Sequence, residues 1–76
     1  MSETNGEAVP ITGTLKNARL VLDGDPRCPC IHGRVYDDTK GRFHDGEWIW
    51  TSTLLEHLPG SVFRTRYSTY RVEGWQ

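Results

Sequence analysis

Apolar positions recur at period two in short runs broken by Gly, Asp and Pro. That is the pattern of half-buried strands joined by tight turns. Ile31, Gly33 and Val35 fall on one face and His32, Arg34 and Tyr36 on the other. The strand Arg34–Tyr36 runs into Asp37-Asp38-Thr39-Lys40-Gly41, which has the Asp and Gly of a turn. Asp45-Gly46 is a hairpin dipeptide, and Trp48-Ile49-Trp50-Thr51 after it is aromatic and β-branched. Upstream, Ile11–Leu15 reads as a short strand, Lys16-Asn17 as a turn, and Ala18–Leu22 as a second strand with Ala18, Leu20 and Leu22 on one face. Asp23-Gly24-Asp25-Pro26 is a turn. Ser61–Arg66 and Ser68–Glu73 read as two more strands. Their apolar parity changes near Ser68, which predicts a turn or bulge there.

Thr53-Leu54-Leu55-Glu56 matches a capping box, and Pro59-Gly60 follows almost at once. One helical turn over Leu54–Leu58 is expected. The chain is therefore expected to be mainly β: a small, strongly bent antiparallel sheet or barrel of about five strands with one short helical turn. Residues 1–10 are polar and end at Pro10, which predicts a flexible N-terminal tail. Residues 11–76 then form a single small β domain.

Composition narrows the function classes. A net charge of −1 argues against indiscriminate nucleic-acid binding, which needs a basic excess. A chain of 76 residues buries roughly 60% of its extended surface, so its aromatics carry much of the core. No secretory apolar region and no run of membrane-spanning length is present, which makes a cytoplasmic location the default expectation.

Chemistry-bearing clusters are few. Cys28-x-Cys30-x-His32 places soft ligands on alternate positions, and zinc is the metal such donors suit. The spacing is not that of a zinc knuckle and no second Cys pair exists, so Cys28, Cys30 and His32 are candidates only and no cofactor is expected. Asp37, Asp38 and Asp45 lack the calcium-loop spacing and read as turn formers. No nucleophile has both a base and an orienting group, so the chain is expected not to be an enzyme. The aromatic and basic residues point instead to binding. Trp48, Trp50 and Tyr70 are the expected anchors, with Arg64, Arg66, Asp37, Asp38 and Glu47 setting specificity. An alternative use of the same residue types is a single-stranded nucleic-acid module, with bases on the aromatics and phosphates on the arginines.

At Gly33-x-Val35, Gly41-Arg42-Phe43-x-Asp45-Gly46-x-x-Ile49-x-Thr51-Ser52 and Ser68-x-Tyr70-x-Val72, the chain resembles small uncharacterised proteins of proteobacterial phages, prophages and plasmids. The resemblance implies a mobile-element accessory protein that binds and sterically blocks a host protein or nucleoprotein complex inside the bacterial host cell; exposed sheet edges could pair two copies, so a monomer or a homodimer is expected. It is anti-CRISPR-like in size and composition only, and it assigns no residue a role.

Overall fold

A computed structural model describes residues 10–76, and the residues read as a tail lie outside it but for Pro10. Six strands follow one another: β1 (Gly13–Val21), β2 (Cys30–Tyr36), β3 (Glu47–Trp50), β4 (Leu54–Leu58), β5 (Val62–Thr65) and β6 (Thr69–Val72). They form one sheet in the order β3-β2-β1-β6-β5-β4. The expectation of a mainly β domain holds. The sheet is open rather than a closed barrel, and it is mixed rather than antiparallel, because β6 pairs in parallel with β1.

Two local readings are corrected. Lys16-Asn17 is not a turn between strands. Asn17 takes a φ of 53° and the β1–β2 register shifts between Lys16 and Arg19, so β1 continues through a bulge. The extra residue resets the parity: Ala18 turns into the core, and Arg19 joins Lys16 on the solvent side. Leu20, expected on one face with Ala18 and Leu22, pairs with buried Ile31 but is itself 44% exposed, and Leu22 beyond the strand is 69% exposed. Gly33 faces the bulge. A Cβ there would lie 3.1 Å from both the Ala18 Cα and the Lys16 carbonyl oxygen, so the close strand approach requires glycine.

The second correction concerns Leu54–Leu58, a strand rather than a helical turn. It pairs with β5 through Leu54↔Thr65, Glu56↔Arg64, His57↔Phe63 and Leu58↔Val62. A single isolated turn of helix makes too few hydrogen bonds to offset its nucleation cost. Pro59-Gly60-Ser61 instead reverses the chain, with positive φ at Gly60 (79°) and Ser61 (59°), and supplies a partner strand at once. The turn expected near Ser68 is present. Thr65 N donates to Ser68 O (2.7 Å), and Ser68 N donates to Thr65 Oγ1 (3.1 Å), closing the β5–β6 hairpin.

Only residues 51–53 separate the two edge strands, so the sheet must curl strongly to bring both edges to one corner. The link is bonded, and its first residue, Thr51, is buried. Thr51 N donates to Ile31 O, Ile31 N donates to Thr51 Oγ1, and Leu54 N donates to Pro29 O. The concave side of the curl holds the core: Leu15, Ala18, Ile31, Val35, Ile49, Tyr70 and Val72, with Phe43, Leu54 and Phe63 packed against it. After β6 the chain keeps to β1. Ala18 N donates to Gly74 O, and Gln76 N donates to Ala18 O.

Candidate functional site: an aromatic and cationic ridge

The register sets the site. His32 lies opposite Trp50 and Arg34 opposite Trp48. On the other side of β2, Arg19 pairs with His32 and Lys16 with Arg34. Ile49 between the two tryptophans is buried, so Trp48 and Trp50 point to solvent, 43% and 42% exposed. The rings do not stand apart. His32 stacks on Trp50 with centroids 4.2 Å apart at 25°, and on Trp48 at 5.2 Å and 28°. The Arg34 guanidinium lies over the Trp48 ring at 4.8 Å, and that of Arg27 over the Trp50 ring at 5.5 Å. Arg27, Trp50, His32, Trp48 and Arg34 thus form one continuous stacked ridge. Each aromatic pair or cation–π contact contributes on the order of 1 kcal/mol.

Hydrogen bonds hold its parts in place. His32 Nδ1 lies 2.9 Å from the Ile49 carbonyl oxygen. A carbonyl only accepts, so Nδ1 carries a proton. Arg27 comes from the β1–β2 loop and is clamped by Asp25: Nε donates to Oδ1 at 3.0 Å and the second guanidinium nitrogen to Oδ2 at 2.8 Å. The bonds from Arg27 hold the Asp25 carboxyl down at about 2. Lys16 sits 5.0 Å over the Tyr36 ring, extending the cationic flank. Arg19, His32, Trp48 and Gln76 line a shallow hollow beside the ridge.

The other expected site residues are dispersed. Tyr70 is 3% exposed and belongs to the core; its hydroxyl oxygen accepts from Arg42 at 3.0 Å, which corrects its reading as a surface anchor. The strand pattern could not separate it from an exposed tyrosine, because parity alone does not say which face is inward. Arg64 is paired with Glu56 at 3.0 Å on the β4–β5 pair, and Arg66 lies in the β5–β6 turn. Three strands stand between β3 and β5 in the sheet order. Asp37 is exposed in the β2–β3 loop, and Glu47 stands beside Trp48 with Oε1 accepting from His44 N at 3.0 Å. The Asp38 side chain is 1% exposed and fully used. It accepts from Arg42 N (2.6 Å), Phe43 N (3.2 Å) and the Arg42 guanidinium (3.3 Å). Burial pushes its carboxyl up, but those bonds prevail and hold it below its ordinary value. Asp45 Oδ1 accepts from Asp37 N at 2.8 Å, so the loop aspartates act as turn formers.

The Cys28-x-Cys30-x-His32 set does not converge on a metal position. The two Sγ atoms are 3.4 Å apart, but His32 is committed to its stack and to Ile49. Among the described residues, no group of three or more His, Cys, Asp or Glu side chains is placed to hold a metal ion. Burial, and then the neighbouring Cys28 thiol, push the Cys30 thiol up to about 11.

Sequence parity had already put His32, Arg34 and Tyr36 on one face, and Trp48 with Trp50 on another strand's face. What sequence reasoning missed was the register that stacks the two sets. It also missed Arg27, which arrives from a loop, and Arg19, which reaches this face only through the bulge.

No family model matches the chain, and no solved structure matches it. Among curated proteins, a UPF0225 protein of Corynebacterium glutamicum is 36% identical over 50 residues, which is 64% of this chain and 40% of that protein. The chain thus spans well under half the length of this relative, whose name states no activity. This similarity lies with an actinobacterial protein. It overturns the resemblance to phage, prophage and plasmid proteins of proteobacteria, and with it the ground for a mobile-element or anti-CRISPR-like setting. The pattern of turn glycines and strand residues that carried that resemblance is one any small meandering sheet shares. No helix among the described residues is long and apolar enough to cross a membrane.

Proposed function

We propose that this chain is a non-enzymatic binding domain that docks onto a protein or nucleoprotein complex and blocks it sterically, with the Arg27–Trp50–His32–Trp48–Arg34 ridge as its anchor. The observation that carries this reading is the ridge itself: two tryptophans exposed side by side, locked by a histidine and flanked by arginines. Trp and Arg are the residues enriched where a few side chains dominate binding. The stacking lowers the conformational entropy left to lose on docking, so the anchor is preorganised. Exposed Asp37 in the β2–β3 loop and exposed Glu47 at the start of β3 lie on the segments that carry the ridge and would add negative charge to a docking surface there.

A second reading has its own observation. Lys16, Arg19, Arg34 and Arg71 share the solvent face with the ridge, which would suit the phosphates of a single-stranded nucleic acid. Against it, the indole faces are already engaged by His32 and the guanidiniums, so bases would have to displace an arginine to stack.

The test is pull-down from lysate of the organism that encodes the chain, with and without nuclease, using the native protein and a Trp48→Ala/Trp50→Ala variant. A complex that survives nuclease and is lost in the folded variant supports the protein reading. Retention that depends on intact nucleic acid, with affinity falling steeply as salt rises, supports the second.

A further inference from the structure

The cysteine pair is not used by the ridge, yet its geometry is specific. Cys28 is half-buried and Cys30 fully buried, and their Sγ atoms stand 3.4 Å apart. Bonded sulfurs are separated by about 2.05 Å, a difference that side-chain rotation at the loop residue Cys28 can cover. Cys30 is fixed as the first residue of β2, opposite Val21. Cys28 lies before the strand, its N–H donating to Asp25 O at 2.9 Å. Cys28 is therefore partly open to solvent, and Cys30 is buried next to it.

We propose that Cys28 and Cys30 form a thiol–disulfide exchange site that takes low-molecular-weight disulfides such as oxidised glutathione as substrate. Cys28, giving its proton to solvent, attacks one sulfur of the disulfide; the small disulfide's S–S bond breaks, a mixed disulfide forms, and the departing thiolate takes a proton from solvent. Cys30 then loses its proton to solvent and its sulfur attacks the Cys28 sulfur. That step forms the Cys28–Cys30 bond and releases the second small thiol. Two protein thiols are oxidised and one small disulfide is reduced to two thiols. The order of attack follows from exposure: Cys30 is sealed from a bulky reagent, and its raised thiol makes it a slow first nucleophile but leaves it adjacent to the sulfur it must resolve. The site borders the ridge, because Arg27 precedes Cys28 directly and lies over Trp50.

The experiment is intact-mass analysis of the reduced full chain after incubation with oxidised glutathione, acid quench and alkylation with N-ethylmaleimide. The expected product is lighter than the reduced protein by two hydrogen atoms, takes no maleimide, remains monomeric and reverts with dithiothreitol. Cys30→Ser should instead accumulate the glutathione adduct on Cys28. Cys28→Ser should form little adduct while it stays folded by circular dichroism. Two results overturn the proposal: native protein in which both cysteines still take maleimide, or native protein that stops at the mixed disulfide as Cys30→Ser does. A disulfide-linked dimer in place of the internal bond also overturns it.

Discussion

Gly33→Ala tests how the bulge in β1 positions the ridge. The added Cβ would sit 3.1 Å from the Ala18 Cα, 3.1 Å from the Lys16 carbonyl oxygen and 3.3 Å from the Ala18 Cβ. The two closest contacts are backbone atoms of a strand paired on both sides, so no flexible side-chain end can yield. Overpacking of this kind costs about 1–3 kcal/mol. Replacing a strand glycine returns about 0.5–1 kcal/mol through a less entropic unfolded chain. From the middle of these ranges the net expectation is a loss of about 1 kcal/mol. With a urea slope of about 1 kcal/mol/M for a domain this small, the midpoint should fall by about 1 M, followed by tryptophan fluorescence. Gly74→Ala is the control, since its nearest neighbour would be Asn17 N at 3.7 Å, and it should change stability by less than about 0.5 kcal/mol. A Gly33→Ala protein as stable as the native one would refute the close β1–β2 approach, and with it the parity switch that brings Arg19 beside Lys16.

Two further outcomes concern charge. Asp38→Asn should cost about 2 kcal/mol at pH 7 by weakening the bonds to Arg42 and Phe43. Because the folded carboxyl is held below its ordinary value, its stabilisation is full above that ordinary value and fades as pH falls through the folded one. The gap between variant and native in denaturant midpoint should therefore close in acid; a gap that persists there would contradict the pairing. The Asp25–Arg27 clamp lies at the surface, so its signature is local rather than global. Since the Asp25 carboxyl is held at about 2, the Trp50 indole resonance should shift as pH falls through that value and not near 3.8, and Asp25→Asn should remove the transition.

Strand pattern made most of the sheet legible. His32-x-Arg34-x-Tyr36 and Trp48-x-Trp50 each declared a solvent face, and the parity change at Ser68 declared a hairpin. Closure and pairing were less accessible. A parallel β1–β6 contact joins residues more than fifty positions apart, and nothing local to either strand encodes it. The capping-box reading of Thr53–Glu56 failed because β5 outcompetes a one-turn helix, a tertiary effect that local propensity does not carry. Tyr70 looked like its neighbours in the pattern, yet the hydroxyl contact with Arg42 satisfies it inside the core. The ridge needed the β2–β3 register before its rings were seen to stack, and a loop arginine before its end was closed.

If the stacked tryptophans are a surface for a partner rather than part of the core, removing them should abolish docking while the sheet still folds. The most direct measurement is the Trp48→Ala/Trp50→Ala variant, assayed together for urea unfolding and for retention of the complex captured by the native chain. The expected variant is a folded protein, destabilised by about 2–4 kcal/mol through lost stacking and cation–π contacts, that no longer retains a nuclease-resistant complex. A folded variant that still holds the same complex, or one that does not fold at all, would contradict this expectation.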